Sequence, residues 1–329
     1  MTPVRINILE AVVASLPLPN PLELAFDRVF DVTLRQRYFK GLSFTEPSGD
    51  PGWFGPESAV WYVHEHLPAL FLGLTAAAAI ETLHPDFAWM GYDHTRAIER
   101  VDGVPTGKMS LPGLLERGGH SVSFFTAVAY GTTASADRAA RTVRAMHKRV
   151  KGTRPDGQSY DANDPETLRW AYATVVWGIA TAHERYHARP LRGERLDRYY
   201  REFVRVGEAL GGTDLPASKA DVRTYLEWSA PLMGVTGPCG AFFANLAPHN
   251  QPPAARPAMA LLEWAILDLQ PPWAKAMLRA KPTNRLEKRA RRAAIWVAVN
   301  GLHYGTGGLR EARHSRQRAL ASPGLVAVA

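Results

Sequence analysis

The sequence predicts an all-α protein, a single large multi-helix domain. Apolar residues recur with 3.6-residue spacing in stretch after stretch. No run of useful length alternates strictly between apolar and polar residues, so no strand is expected. Helix punctuation frames the stretches, as in the stop His84-Pro85 and the start Asp164-Pro165-Glu166. With 329 residues, 46% of them hydrophobic and 21% charged, the chain is long enough to bury a sizeable apolar cavity.

Residues 1–50 are expected to form an N-terminal arm, rich in proline and glycine, with one short helix from Pro21 to Arg37. Asp50-Pro51-Gly52 marks a turn into the helical core, expected over residues 51–250. The first core helix runs from Pro56 to Leu83. Its apolar stretch from Leu67 to Leu83 is interrupted by Glu81 and reads as a buried core helix rather than a membrane span. Residues 92–112 read as a mixed loop. A helix from Gly113 to Tyr130 is apolar nearly all round, and a second, capped by Ser135, runs to Val150. Asp164 as N-cap with Pro165 behind it opens a helix that reaches His187. Further helices are expected near 194–210, 217–230, 256–269 and 285–300, the last two within a basic C-terminal region, residues 251–329, packed on the core.

The charge is lopsided. Residues 275–318 carry twelve Lys or Arg and two acids, a local +10, so the rest of the +8 chain sums to −2. No nucleic-acid motif accompanies this excess, and a solvated basic helix face is expected there. The N-terminus lacks a basic segment followed by an apolar run, so no signal peptide and a cytoplasmic location are expected. The single cysteine, Cys239, excludes an intrachain disulfide and any multi-cysteine metal site. A thiolate ligand would have to come from the turn-like Gly237-Pro238-Cys239-Gly240.

Two constellations carry chemistry. On the helix 113–130, Arg117, His120 and Ser121 fall at i, i+3 and i+4 and share a face, with Gly118 and Gly119 among them. Burying such a face has a cost unless it is used. Close helix packing with Arg117 paired to Glu116 is one account. A haem held between this helix and the next is another, with His147, on the stripe Ala136, Ala140, Val143, Met146 and Val150, as iron ligand. The second constellation, His183-Glu184-Arg185-Tyr186-His187, reads H-E-x-x-H and suggests a zinc hydrolase with Glu184 as base and Glu202 or Glu208 as third ligand. No G-x-S-x-G elbow, P-loop or strand-borne G-x-G-x-x-G is present.

From Gly52 to Trp228 the chain resembles the rubber oxygenase (latex clearing protein) and MpaB-type oxygenase catalytic domain. The resemblance rests on Gly52-Trp53-Phe54-Gly55-Pro56-Glu57-Ser58-Ala59-Val60-Trp61, Arg117-x-x-His120-Ser121, Tyr130-Gly131-Thr132, His147-x-x-Val150-x-Gly152, Tyr160-x-Ala162-x-Asp164-Pro165-Glu166 with Trp170, Pro190-Leu191 and Tyr199-Tyr200-Arg201-Glu202, in that order. It implies an all-α fold, haem b as cofactor and His147 as proximal iron ligand. Arg117-x-x-His120-Ser121 stands where the family has Arg-x-x-Lys-Thr, so His120 is placed as a distal ligand or proton donor. The stretch Thr95 to Pro112 is longer than the family's loop. The expected activity is oxidation of a small, largely apolar metabolite by dioxygen or peroxide, with an electron donor as partner. Arg117, His120 and Ser121 would act at the oxygen side, and Phe124 and Phe125 would line the pocket. A zinc hydrolase and a non-catalytic bis-His haem carrier or sensor are the alternatives.

Overall fold

The computed structural model describes residues 20–321 and is helical almost throughout, with two small antiparallel hairpins. Helix α1 (Pro21–Phe30) continues through a wide turn (Asp31–Arg35) to Gln36–Tyr38. The core follows as α2 (Ala59–Glu65), α3 (Leu67–Glu81), α4 (Pro85–His94), the hairpin β1 (Ile98–Val101) and β2 (Val104–Met109), α5 (Leu111–Tyr130) and α6 (Thr133–His147). A second hairpin, β3 (Lys151–Thr153) and β4 (Ser159–Asp161), precedes α7 (Pro165–Tyr186), α8 (Glu194–Ala209) and α9 (Lys219–Ser229). The chain closes with α10 (Gly237–Leu246), α11 (Arg256–Leu269), α12 (Pro272–Met277), α13 (Arg285–Gly305) and α14 (Arg310–Leu320).

The centre of the molecule is the crossing of α3 and α7, the most extensive helix pair in the fold. α3 is apolar on every side, so it can be stable only where other helices surround it. At the crossing the two backbones meet at Gly73 and Gly178. A Cβ on Gly178 would lie 2.4 Å from the carbonyl oxygen of Gly73, and one on Gly73 would lie 2.6 Å from Cα of Ile179. Ala76, Ala77, Ala173 and Ala180, all fully buried, extend the small-residue contact on both sides. Around this pair, α8 and α9 pack on α7, α11 and α13 on α3, and α5 against α6.

Several boundaries differ from the sequence reading, each for a visible reason. The helix expected over 56–83 is two helices bent by 94° at His66. The His66 side chain accepts the Ala69 N–H and Pro68 occupies the first turn, so a new helix starts inside the apolar run. His84 does the same for α4: its imidazole accepts from Phe87 N–H and Pro85 starts the helix rather than merely ending the previous one. Residues in the expected loop 92–112 form β1 and β2, whose turn uses Asp102 and Gly103 at positive φ. The cap of α6 is Thr132, not Ser135. Gly237-Pro238-Cys239-Gly240 is the capped first turn of α10, and the Cys239 thiol is buried, accepting from the Thr82 hydroxyl at 3.3 Å. The start at Asp164 holds: its carboxylate accepts from the N–H groups of Glu166 and Thr167. No single helix among the described residues is long and apolar enough to cross a membrane.

The basic C-terminal region is only partly a solvated face. Asp268, buried on α11, accepts from Arg185 and Arg292, with Lys288 3.4 Å away. Arg318, 2% exposed, donates to the carbonyls of Asp50 and Gly131 and so ties α14 to the α5–α6 junction. Glu311 of α14 pairs with buried Arg35 of the N-terminal segment, which also reaches Asp27. Residues 1–19 of the expected N-terminal arm, and the signal-peptide reading that rests on them, lie outside the described residues.

At the α3–α7 crossing a methyl group has nowhere to go, because the atom it meets is backbone. Gly178→Ala is expected to destabilise the protein by about 2–3 kcal/mol or to prevent folding, read by urea denaturation. A change below ~0.5 kcal/mol would show that the crossing can separate at little cost.

Candidate functional site

α5, α6 and the C-terminal end of α3 hold the groups that the sequence marked, together with one it did not. On α5, Leu114, Arg117, Gly118, Ser121 and Phe125 lie at helical spacing on one stripe, each at least partly accessible. Arg117 donates to the Ser121 hydroxyl at 2.7 Å, which locks the two onto one face. Gly118 looks into open space, with no atom within 4 Å of where its Cβ would be. Its neighbour Gly119 is spent differently, since a Cβ there would strike the Tyr38 ring at 2.3 Å. Of the two glycines that suggested close approach of a flat group, one therefore receives a tyrosine ring of the chain itself and the other leaves room.

His147 sits in the last turn of α6, half-buried. Its Nδ1 is sealed from solvent without a hydrogen-bond partner, and no described residue bonds the other ring nitrogen. Burial, and then the charge of Arg117, hold its pKa below the usual histidine value, so the ring is neutral near pH 7. A neutral imidazole with unused nitrogens is the chemical form a metal ligand takes.

Glu81 is the residue the sequence reading left without a role. It ends α3, and its carboxylate accepts from the Thr174 hydroxyl of α7 at 3.1 Å. Burial pushes its pKa up to about 7, and the Thr174 hydrogen bond and the Arg117 charge limit the rise. Arg117 thus acts electrostatically on both Glu81 and His147, and joins helices that are far apart in sequence. The signal for Glu81 was present in the sequence: a single carboxylate inside an otherwise apolar stretch, which is seldom buried without a use.

The remaining candidates are placed elsewhere on α5. His120 is exposed, with its ring edge-on to Tyr38 at 4.9 Å. Phe124 and Phe125 contact each other edge-to-face at 5.2 Å and pack against the main core. Phe125 also lies 6.3 Å from the His64 ring. Phe124 belongs to the core wall beside the stripe, and Phe125 joins the stripe to that core.

The H-E-x-x-H motif does not converge on a site. His183 Nε2 accepts from the Leu191 N–H at 2.8 Å and His187 Nδ1 accepts from the Arg189 N–H at 2.9 Å. Glu184 forms an ion pair with Lys219 through both oxygens. Glu202 accepts from Val60 N–H and pairs with Arg198, and Glu208 is exposed. Among the described residues no three His, Cys, Asp or Glu side chains are arranged to hold a metal ion. What the motif contributes is packing. His183, His187, His66 and His303 form a buried cluster with neighbouring rings 4.1–4.8 Å apart, where the bend at His66 meets α7 and α13. His66 Nε2 faces the Asn300 carbonyl oxygen, because the Asn300 amide donates to Tyr186 and Trp296.

These rings stay neutral far below their ordinary range. Burial, reinforced by the neighbouring imidazoles, lowers His183 to about 3, His187 to about 2 and His303 to about 4; burial alone lowers His64 to about 3. Between the unfolded value near 6.5 and those folded values the unfolded chain binds protons that the native one does not, so stability falls as pH falls. Each such group contributes about 1.4 kcal/mol per pH unit. Glu81, raised above its unfolded value, opposes them as one group against four. Urea denaturation at pH 6.5, 5.5 and 4.5 is expected to show a steep loss, shallower in His187→Gln. A flat profile would show the cluster to be hydrated.

The profile of the ER-bound oxygenase mpaB/B′ and rubber oxygenase catalytic domain matches residues 61–299, a span that includes Glu81, Arg117, Ser121 and His147. No curated protein and no solved structure was found to match. The chain belongs to the mpaB/rubber oxygenase catalytic-domain family and carries an oxygenase catalytic domain.

Proposed function

We propose that this oxygenase uses haem b and acts on a small, largely apolar metabolite, with His147 as the protein ligand to the iron. The observation that carries this reading is the His147 imidazole: neutral, half-buried, without a hydrogen-bond partner on either nitrogen among the described residues, and in the electrostatic field of Arg117. The residues present suit the group. Gly118 leaves open space beside the α5 backbone, and a ring nitrogen of His147 is available to iron. When bound, the haem would supply the activation of dioxygen or peroxide that side chains cannot perform.

The chain's own residues do the rest. Arg117, fixed by its hydrogen bond to Ser121, presents a guanidinium that either neutralises a propionate or polarises an oxygen atom at the reacting centre. Ser121 orients that guanidinium and keeps a hydroxyl on the same face. Glu81, poised to change charge near pH 7, accepts or returns a proton, and Thr174 fixes the carboxylate. Leu114 and Phe125 extend the stripe with apolar surface, in keeping with an apolar substrate. We give the distal polar role to Arg117 and Ser121 rather than to His120, which would first have to leave Tyr38. The zinc reading has less support, since one nitrogen of each histidine already accepts a backbone N–H group and Glu184 is paired with Lys219.

The test is spectroscopic. Purified protein is expected to show a Soret band and a positive pyridine haemochrome assay, both lost in His147→Ala. His120→Ala is expected to leave the band in place. A protein that takes up no added haem would overturn the assignment. In turnover, the rate is expected to rise with pH through about 7, as Glu81 ionises. Glu81→Gln should lower kcat by about 10²–10⁴-fold and remove that inflection. An unchanged profile would exclude Glu81 as the proton acceptor.

A further inference from the structure

α13 buries one side and leaves the opposite side bare. Ile295, Val299 and Asn300 face the core, and Arg292 and Lys288 fold onto Asp268. The outward side reads Leu286, Ala290, Ala293, Val297 and Gly301, at i, i+4, i+7, i+11 and i+15, and every one of these residues is exposed. Leu286 is 80% exposed and Val297 63% exposed. Trp296, 39% exposed, and Leu302, 59% exposed, flank the stripe on its two sides. An apolar face this continuous on the surface of a folded chain marks an interaction site.

The surrounding charge says what it meets. Arg285 and Arg289, both exposed, lie at the N-terminal end of the same helix with no carboxylate partner among the described residues. Arg279 and Lys281, also exposed, stand just ahead of them. The one acid on the helix, Glu287, is already paired with Arg291. An apolar stripe edged by free cations complements an anionic lipid surface: the side chains enter the headgroup boundary and the guanidinium groups meet phosphates. A second copy of the chain would bring the same positive edge against itself.

We propose that the outward face of α13 docks the protein peripherally, with the helix axis in the membrane plane, on an anionic lipid surface. Leu286, Val297, Trp296 and Leu302 are the inserted groups, and Lys281, Arg285 and Arg289 the headgroup contacts. The proposal stands apart from the haem assignment and does not depend on it.

The experiment is co-sedimentation of the full chain with phosphatidylcholine vesicles with and without about 30% phosphatidylserine. Binding is expected only with phosphatidylserine and should weaken as salt shortens the screening length. The Leu286→Asp/Val297→Asp double variant should lose binding by at least about tenfold, and so should Arg285→Glu/Arg289→Glu. All four positions are exposed, so circular dichroism and urea midpoints should match the wild type, and a folded variant that fails to bind supports the assignment. Equal binding to neutral vesicles, or full binding by the Leu286/Val297 variant, would overturn it. So would a wild-type dimer in light scattering that the same variant dissolves, which would assign the face to a second copy.

Discussion

The contact of Gly73 with Gly178 sets the position of everything else. Two helices whose backbones touch are fixed in distance, and small neighbours such as Ala77 and Ala173 leave little freedom in angle. Two turns beyond the crossing along α3 lies Glu81, and one turn before it along α7 lies Thr174, so the hydrogen bond between them is a direct consequence of the approach. A bulkier crossing would move that carboxylate away from its hydroxyl and from the field of Arg117. The apolar character of α3 supplies the driving force, and the two glycines supply the geometry.

Against this apolar background the polar groups form two sets with opposite electrostatic designs. Near Arg117, a carboxylic acid and an imidazole from different helices share one cation. Glu81 is held near its point of ionisation, and His147 is kept neutral with both nitrogens unused. Groups in that condition are chemically available. In the His66, His183, His187 and His303 cluster both nitrogens of His66 and one each of His183 and His187 are bonded to backbone N–H groups or to Asn300, and the rings pack on one another. Both sets include an imidazole with an unbonded nitrogen. What separates them is the company each keeps: Arg117 and a carboxylic acid in the first, other imidazoles in the second.

Much of this was legible in the chain itself. The 3.6-residue pattern located most of the core helices, and Asp164-Pro165-Glu166 placed the start of α7 because a side-chain cap and a proline act locally. The break at His66 and the helix after Pro85 were not legible, because the same residues that end one helix can cap and begin the next. On α5 the spacing that set Arg117 and Ser121 on one face agrees with their hydrogen bond. His120 differs because Tyr38, some eighty residues earlier in the chain, takes its ring. Glu81 stood out in the sequence, yet its role emerges only when α7 brings Thr174 beside it and α5 brings Arg117. The H-E-x-x-H pattern misled because spacing on a helix says nothing about which nitrogens the following loop will occupy.

The pairing of Arg35 with Glu311 has a consequence for how the molecule is made. Arg35 is buried with two carboxylates, and one of them lies 276 residues further along the chain. During synthesis the N-terminal segment leaves the ribosome with Asp27 in reach of Arg35 but long before Glu311 exists, so only half of the buried ion-pair set can form. The set is complete only once α14 has emerged. α14 thus completes the docking of α1, through a contact of very high sequence separation. A ribosome stalled before residue 311 would carry a core of helices whose ends have not yet met.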